Sequence, residues 1–237
     1  LDDGGEMGRL MREKDWSLTP LGPPESWPQS LRTTLNILLN CPFPMFLFWG
    51  KKLKGFYNDA YRPSLGTDGK HPFILGLNGK ESWPEIWDEI NPLLTAVTEK
   101  GETIKMENQL IPFYRNGRIE DIYWTFSYSP VKDESGNVAG VLTVCTDTTE
   151  AVLAERRLRE SERRFRELAN LSPVWIWITD NDINIEYANK ALLDYVGIKK
   201  ESDFTGQVWV DVVHPHDLEI VYAGFGKALE QQTGFAL

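Results

Sequence analysis

Two stretches of this chain, residues 43–66 and 172–197, carry the same punctuation. The first reads FPMFLFWGKKLKGFYNDAYRPSLG and the second SPVWIWITDNDINIEYANKALLDYVG. Each begins with a proline and an apolar segment, turns through polar residues, and runs into a second apolar segment that ends at an asparagine. A short helix is expected next, stopped by a glycine. Asn58 to Gly66 is eight residues, and so is Asn189 to Gly197. Ala60 and Ala191 each sit two past the asparagine. Gly79 precedes Trp83 as Gly206 precedes Trp209, and Pro92 and Pro215 are each expected to open a helix. A match of this length predicts two copies of one supersecondary unit.

Between the copies lies DTTEAVLAERRLRESERRFRELANLSP, residues 147–173, which predicts one helix. Glu155/Arg159, Glu160/Arg164 and Glu162/Arg166 are i,i+4 pairs in the favourable order, acid first. The helix would span roughly 35 Å. Ala151, Leu158 and Phe165 fall seven apart, as do Ala154, Ser161 and Leu168, giving an a/d heptad with a weak centre. A solvated linker and a short parallel coiled coil both fit this pattern. The matching flanks favour a coiled coil joining two modules, with Leu158, Phe165 and Leu168 as contact residues.

Around this frame the chain reads in order. Residues 1–15 are polar, with Met7, Leu10 and Met11 at helical spacing. Residues 19–28 hold four prolines and exclude regular structure. Residues 28–40 predict a helix with Leu31, Leu35 and Leu38 on one stripe, which needs a sheet or a dimer partner to cover it. Strands are expected at 45–49 and 53–58, then a helix capped by Asn58 and Asp59. A Gly-rich loop covers 66–79. A helical turn is expected at 80–87, placing Trp83 and Trp87 on one face, and a helix at 92–99. The period then changes to two. Strands at 103–114, 119–130 and 140–146 are separated by Arg115-Asn116-Gly117 and Asp133-Glu134-Ser135-Gly136-Asn137, both hairpin turns. Strands before and after a group of helices make an α+β pattern. The second copy repeats strands at 174–179 and 183–188 and helices at 190–197 and from Pro215 to about Gln232, without the three long strands.

Net charge of −10 disfavours nucleic acid and anionic membrane surfaces as partners. The longest apolar run, near residues 43–49, is too short to span a bilayer. Two cysteines, Cys41 and Cys145, make no disulfide framework, and a reducing cytoplasm is the expected compartment. Leu1 and the strand-like 235–237 suggest a piece of something longer.

The repeated unit resembles the PAS domain family: small α+β sensors with a five-stranded antiparallel sheet and helices on one face. The resemblance covers residues 43–149 fully and 172–237 in part. Residues 213–221, VHPHDLEIV, are similar to the His-Pro-x-Asp opening of the long PAS helix. Asp147-Thr148-Thr149 is similar to the Asp-Ile-Thr end of the last PAS strand, where a signalling helix begins. Residues 5–50, with YNDAY and FSYSP later, resemble the N-terminal sensor region of bacterial PAS-containing histidine kinases. The implied organisation is an extension with an amphipathic helix (1–42), a PAS domain (43–149), a linker helix (148–171) and a second PAS domain cut short after its long helix (172–237). The resemblance implies a homodimer and a downstream kinase or other output domain. The sequence holds no phosphate-binding glycine loop and no phospho-acceptor histidine.

No catalytic set can be identified. His214, His216 and Asp217 read as a helix start, since Pro215 stands between them and no third metal ligand is near. The flavin-adduct segment of light-oxygen-voltage domains is absent, and no histidine sits where haem-binding PAS domains place theirs. Cys41 and Cys145 read as packing residues. The better lead is aromatic. Phe46, Phe48, Tyr57, Trp83, Trp87, Trp124 and Phe126 belong to elements that surround the pocket of a PAS fold. They would fill a core with their own side chains or line a pocket for a small, mostly apolar ligand. Three functions follow: a sensory and dimerisation module, a structural spacer without ligand, or an enzyme using the pocket. No nucleophile–base pair or metal set supports the last.

Overall fold

The computed structural model describes residues 4–67 and 69–231. The chain divides into two compact units, Leu1–Ala154 and Glu155–Leu237. In the first, helix α1 (Gly5–Glu13) buries Met7 and Met11. Its free N-terminal amides at Glu6 and Met7 donate to the Asp59 carboxylate at 2.8 and 3.1 Å, which supplies acceptors the helix itself lacks. Helix α2 (Gln29–Asn40) buries Leu31, Leu35 and Leu38. It packs on strands β1 (Met45–Trp49) and β2 (Lys54–Tyr57). The stripe thus lies against its own sheet, and these three leucines are not a dimer face as their pattern also allowed.

Strands β3 (Ile104–Arg115), β4 (Arg118–Lys132) and β5 (Val138–Asp147) complete an antiparallel sheet in the order β2-β1-β5-β4-β3. The β3–β4 turn is Asn116-Gly117, both at positive φ, which matches the twist of a two-residue hairpin. Strand β1 lies between β2 and β5 and is buried throughout. Side chains alternate along it. Phe46 and Phe48 face the helices that follow β2, while Met45, Leu47 and Trp49 face the other way. That second face is closed by the extension: Trp16 stacks on the Phe56 ring at 5.2 Å, and Trp27 meets the two edge-on at 5.1 and 5.8 Å. Trp16 Nε1 donates to Met11 O and Trp27 Nε1 to Gly22 O, so both indoles are buried with their polar atom satisfied. Met7, Met11, Trp16, Trp27 and the leucines of α2 therefore share one core with the sheet.

After β2 come a 3₁₀ helix (Asp59–Leu65), helix α3 (Gly79–Ser82) and helix α4 (Trp87–Lys100). The last begins five residues before Pro92, correcting the expectation that this proline opens it. The bond that Pro92 cannot make is to the carbonyl of Asp88, an exposed residue with access to water. Trp83 ends α3 and Trp87 starts α4, so they do not share a helix face.

Helix α5 (Thr149–Leu171) is continuous. The second unit then has strands β6 (Trp177–Thr179) and β7 (Ile185–Ala188), helix α6 (Lys190–Val196) and helix α7 (Leu218–Gln231). Strand β6 is shorter than the expected 174–179. Its counterpart β1 begins at Met45, which pairs with Val144 of β5, and β6 pairs with β7 alone among the described residues. Pro215 begins a turn ahead of α7 rather than the helix itself, and the His214 ring accepts the His216 amide there. The expected helix end at Gln232 and the strand start at 235–237 lie outside the described residues.

Candidate sensory cavity and helix joints

The first unit has a cavity of about 40 Å³ between the sheet and α4. Of the seven aromatic candidates, Phe46, Phe48, Trp83, Trp124 and Phe126 line it. Tyr57 and Trp87 do not. Tyr57 turns its hydroxyl to His71 at 2.9 Å. Trp87 lies over Gly79, where a Cβ would come within 2.8 Å of its ring. Tyr61, Phe113, Tyr128, Thr143 and Cys145 join the lining, and no Asp, Glu, Lys, Arg or His does. Burial raises Tyr61 and Tyr128 above the ordinary phenol range and pushes the Cys145 thiol up to about 12, with Asp147 adding to the latter. The lining is mostly apolar, and burial holds its phenols and its thiol neutral.

Two polar atoms in this lining lack a partner within the protein: Trp124 Nε1 and Thr143 Oγ1. Both residues are buried. An unpaired buried donor costs about 1–3 kcal/mol, so two on residues of one lining are a substantial concession by a small domain. Sequence spacing placed Trp124 on the inward face but held no sign that its indole nitrogen would be left over.

The cavity is coupled to α5 by the chain itself. Thr143 and Cys145 are on β5, which ends at Asp147. The Asp147 carboxylate accepts the Thr149 amide at 3.0 Å and pairs with Arg115 at 3.2 Å. The Thr148 hydroxyl donates to Tyr123 O, and the Tyr123 amide donates to Thr149 Oγ1. The first turn of α5 is thereby fixed to β4 and to the β3–β4 hairpin.

A second joint occurs in both units. Asn58 Nδ2 donates to Leu38 O, Cys41 O and Phe43 O, and its Oδ1 accepts from Met45 N and Tyr61 N. Asn189 Nδ2 donates to Ala169 O and Val174 O, and its Oδ1 accepts from Ile176 N and Leu192 N. The partners lie 20, 15, 13 and 3 residues away in both cases. Each asparagine caps the following helix, as its position predicts. It also ties down the end of the helix that precedes the core: α2 in the first unit, α5 in the second.

Near that second joint Arg166 Nη1 donates to both Glu201 oxygens at 2.8 and 2.9 Å and lies 4.9 Å above the Tyr187 ring. Phe165 meets the same ring at 5.5 Å. Phe165 is therefore in part a docking residue, 42% exposed, while Leu158 and Leu168 are each 70% exposed. The second unit also presents an apolar cleft of about 540 Å³, bounded by Trp175, Trp177, Tyr195, Phe204, Trp209 and Phe225 among others.

Sequence reasoning missed a polar cluster on the first unit. The carboxylate of Glu6 can only accept, so His71 Nε2 donates to it at 3.2 Å, and in the neutral imidazole Nδ1 is then the acceptor for the Tyr57 hydroxyl. Arg62 pairs with Glu6 at 2.7 Å and Asp59 at 3.4 Å. These groups hold α1 on the core. The hydrogen bonds that join α1 to this cluster span 52 to 65 residues, a range no local spacing reports.

Family models place these observations. That of the PAS fold matches residues 56–153 and that of the PAS domain matches residues 163–229. The chain belongs to the PAS domain family. It is 36% identical over 73 residues to an uncharacterized protein of Sinorhizobium fredii, covering 31% of this chain and 9% of that protein. Over 156 residues it is 27% identical to the two-component sensor PprA of Pseudomonas aeruginosa, covering 64% of this chain and 16% of the relative. The chain thus spans less than a fifth of the length of these curated relatives. Among solved structures it is similar to an RNA-binding light-oxygen-voltage receptor, with 18% identity, a TM-score of 0.42, and coverage of 63% of this chain and 42% of that one. Among the described residues, no helix is long and apolar enough to cross a membrane.

Proposed function

We propose that this chain is the sensory region of a cytoplasmic two-component sensor histidine kinase. The first PAS core takes up a small molecule, and α5 carries the response toward the second core and a kinase domain. The observation that carries this reading is the continuity of β5. Thr143 and Cys145 stand in the cavity wall, and two residues later the same strand becomes the joint that fixes α5. A shift of the wall by a ligand is felt at the helix start with no intervening loop. The similarity to a two-component sensor supports the kinase output.

The helix pairs with that of a second copy, in parallel. Leu158, Phe165 and Leu168 occupy a and d positions. The e positions are then Glu155 and Glu162, and the g positions Arg157 and Arg164. Parallel pairing brings Arg157 opposite Glu162 of the partner helix, while antiparallel pairing sets like charges against each other. Light scattering at micromolar concentration tests this. A dimer that Leu158→Glu converts to monomer is expected; a monomeric wild-type chain contradicts it. For the output, the full-length protein incubated with ATP should acquire acid-labile phosphate on a histidine, and its absence contradicts the kinase reading.

A further inference from the structure

We infer that the first unit's cavity selects a neutral molecule of a few heavy atoms that carries a hydrogen-bond acceptor, such as a short ketone or aldehyde, and rejects its anionic and its purely apolar counterparts. The inference rests on the reading of this cavity as a ligand site and adds the chemistry it recognises.

Three observations fix the class. Size comes first. About 40 Å³ of free volume corresponds to roughly three or four heavy atoms when one water needs about 10–15 Å³. Charge comes second. No ionisable acid or base other than phenol and thiol lines the cavity, and burial holds Tyr61, Tyr128 and Cys145 neutral. Lys70 lies 4.1 Å from the ring centroid of the lining residue Trp83. Its ammonium already serves Glu85 at 2.5 Å and Ser82 O at 2.6 Å. A carboxylate in the cavity would be a buried charge without a partner. Polarity comes third. Trp124 Nε1 can only donate, and it lacks an acceptor. Thr143 Oγ1 is also unpartnered, at the register position of Tyr128 rather than of Trp124's neighbour Asp147. Four residues along a strand separate the two by roughly 13 Å of backbone, so a molecule of this size is read by one of them at a time. The indole, a donor in the midst of aromatic rings, calls for a carbonyl or ether oxygen.

Acetone, isobutene and acetate share one shape and differ only in oxygen and charge, which makes them the test. Each is titrated into the ¹⁵N-labelled chain while the Trp124 indole N–H resonance and ligand saturation transfer are followed. Acetone should bind and shift that resonance, with isobutene weaker by roughly tenfold, the worth of one hydrogen bond of ordinary strength, and acetate weaker still, because its charge would be buried without a partner. Trp124→Phe keeps the ring and removes the donor, and should bring acetone down to the level of isobutene. Should that variant fail to fold, Thr143→Val assigns the anchor instead. Acetone binding that it leaves intact, together with the shifted indole resonance, supports the indole as anchor. Loss of acetone binding in Thr143→Val with an unmoved indole overturns that assignment. Isobutene or acetate binding as tightly as acetone overturns the chemical class while leaving the cavity a ligand site. If none of the three enters, the cavity reading falls with it.

Discussion

The two units share a hairpin, a helix and an asparagine joint with the same bond pattern, yet one is closed and the other open. In the first, β1 has a neighbour on each edge and a layer on each face. What remains inside is about 40 Å³. In the second, β6 pairs with β7 alone among the described residues, and the matching space is a cleft of about 540 Å³. Trp175, Trp177 and Ile178 stay substantially exposed there. The difference teaches that the asparagine joint is a local instruction, obeyed wherever the hairpin and helix occur, whereas closure of the core depends on strands and helices distant in sequence. Stability should accordingly be concentrated in the first unit.

The largest effect should come from Leu35→Asp, at a side chain with no exposure. A carboxylate placed there without a partner should cost more than about 4 kcal/mol and abolish the main thermal transition. A variant that melts like the wild type would show that the extension is not part of the first core. Next is the pair Asn58→Ala and Asn189→Ala. The first strands buried backbone groups of Leu38, Phe43 and Met45, and should lower the main transition by about 3 kcal/mol. The second should leave that transition within about 0.5 kcal/mol and remove only protection in the second unit. Equal effects on the main transition would break the comparison, because the units would then unfold as one.

A smaller effect is expected from acid. Side-chain hydrogen bonds from Arg115 and then Arg118 lower the Glu120 carboxyl from 4.5 to about 2. Its folded value is below its unfolded one, so its stabilisation is present above about 4.5 and is lost as pH falls toward 2. Glu120→Gln should flatten the pH dependence of the first unit's melting in that window. An unchanged slope would show that the ion pairs of this exposed hairpin contribute nothing measurable.

Much of the fold was legible because it is written in short-range patterns. The repeat located both hairpins and both asparagines, and the alternation of Ile122, Trp124, Phe126 and Tyr128 gave the inward face of β4, all four of which are buried. The Leu31, Leu35 and Leu38 stripe gave α2, although the sequence left open what would cover it. Less was legible at the site. Five of seven aromatic candidates reach the cavity, but Trp87 was placed by assuming one helix through residues 80–87, and the break at Trp83 sends it elsewhere. Tyr57 was misplaced because its partner His71 lies in a loop without periodicity. Trp16 and Trp27, which close the second face over Phe56, lie just before and within a Pro-rich segment that gives no period to read. Their role depends on a contact across tens of residues, which only the folded chain supplies.

The claim that closure separates the units is tested most directly by native-state hydrogen exchange, followed by mass spectrometry or NMR at the level of single strands. Amides of β1 and β5 should exchange only through the largest opening of the molecule, while those of β6 and β7 should exchange orders of magnitude faster through local opening. Equal protection of β1 and β6 would contradict the account.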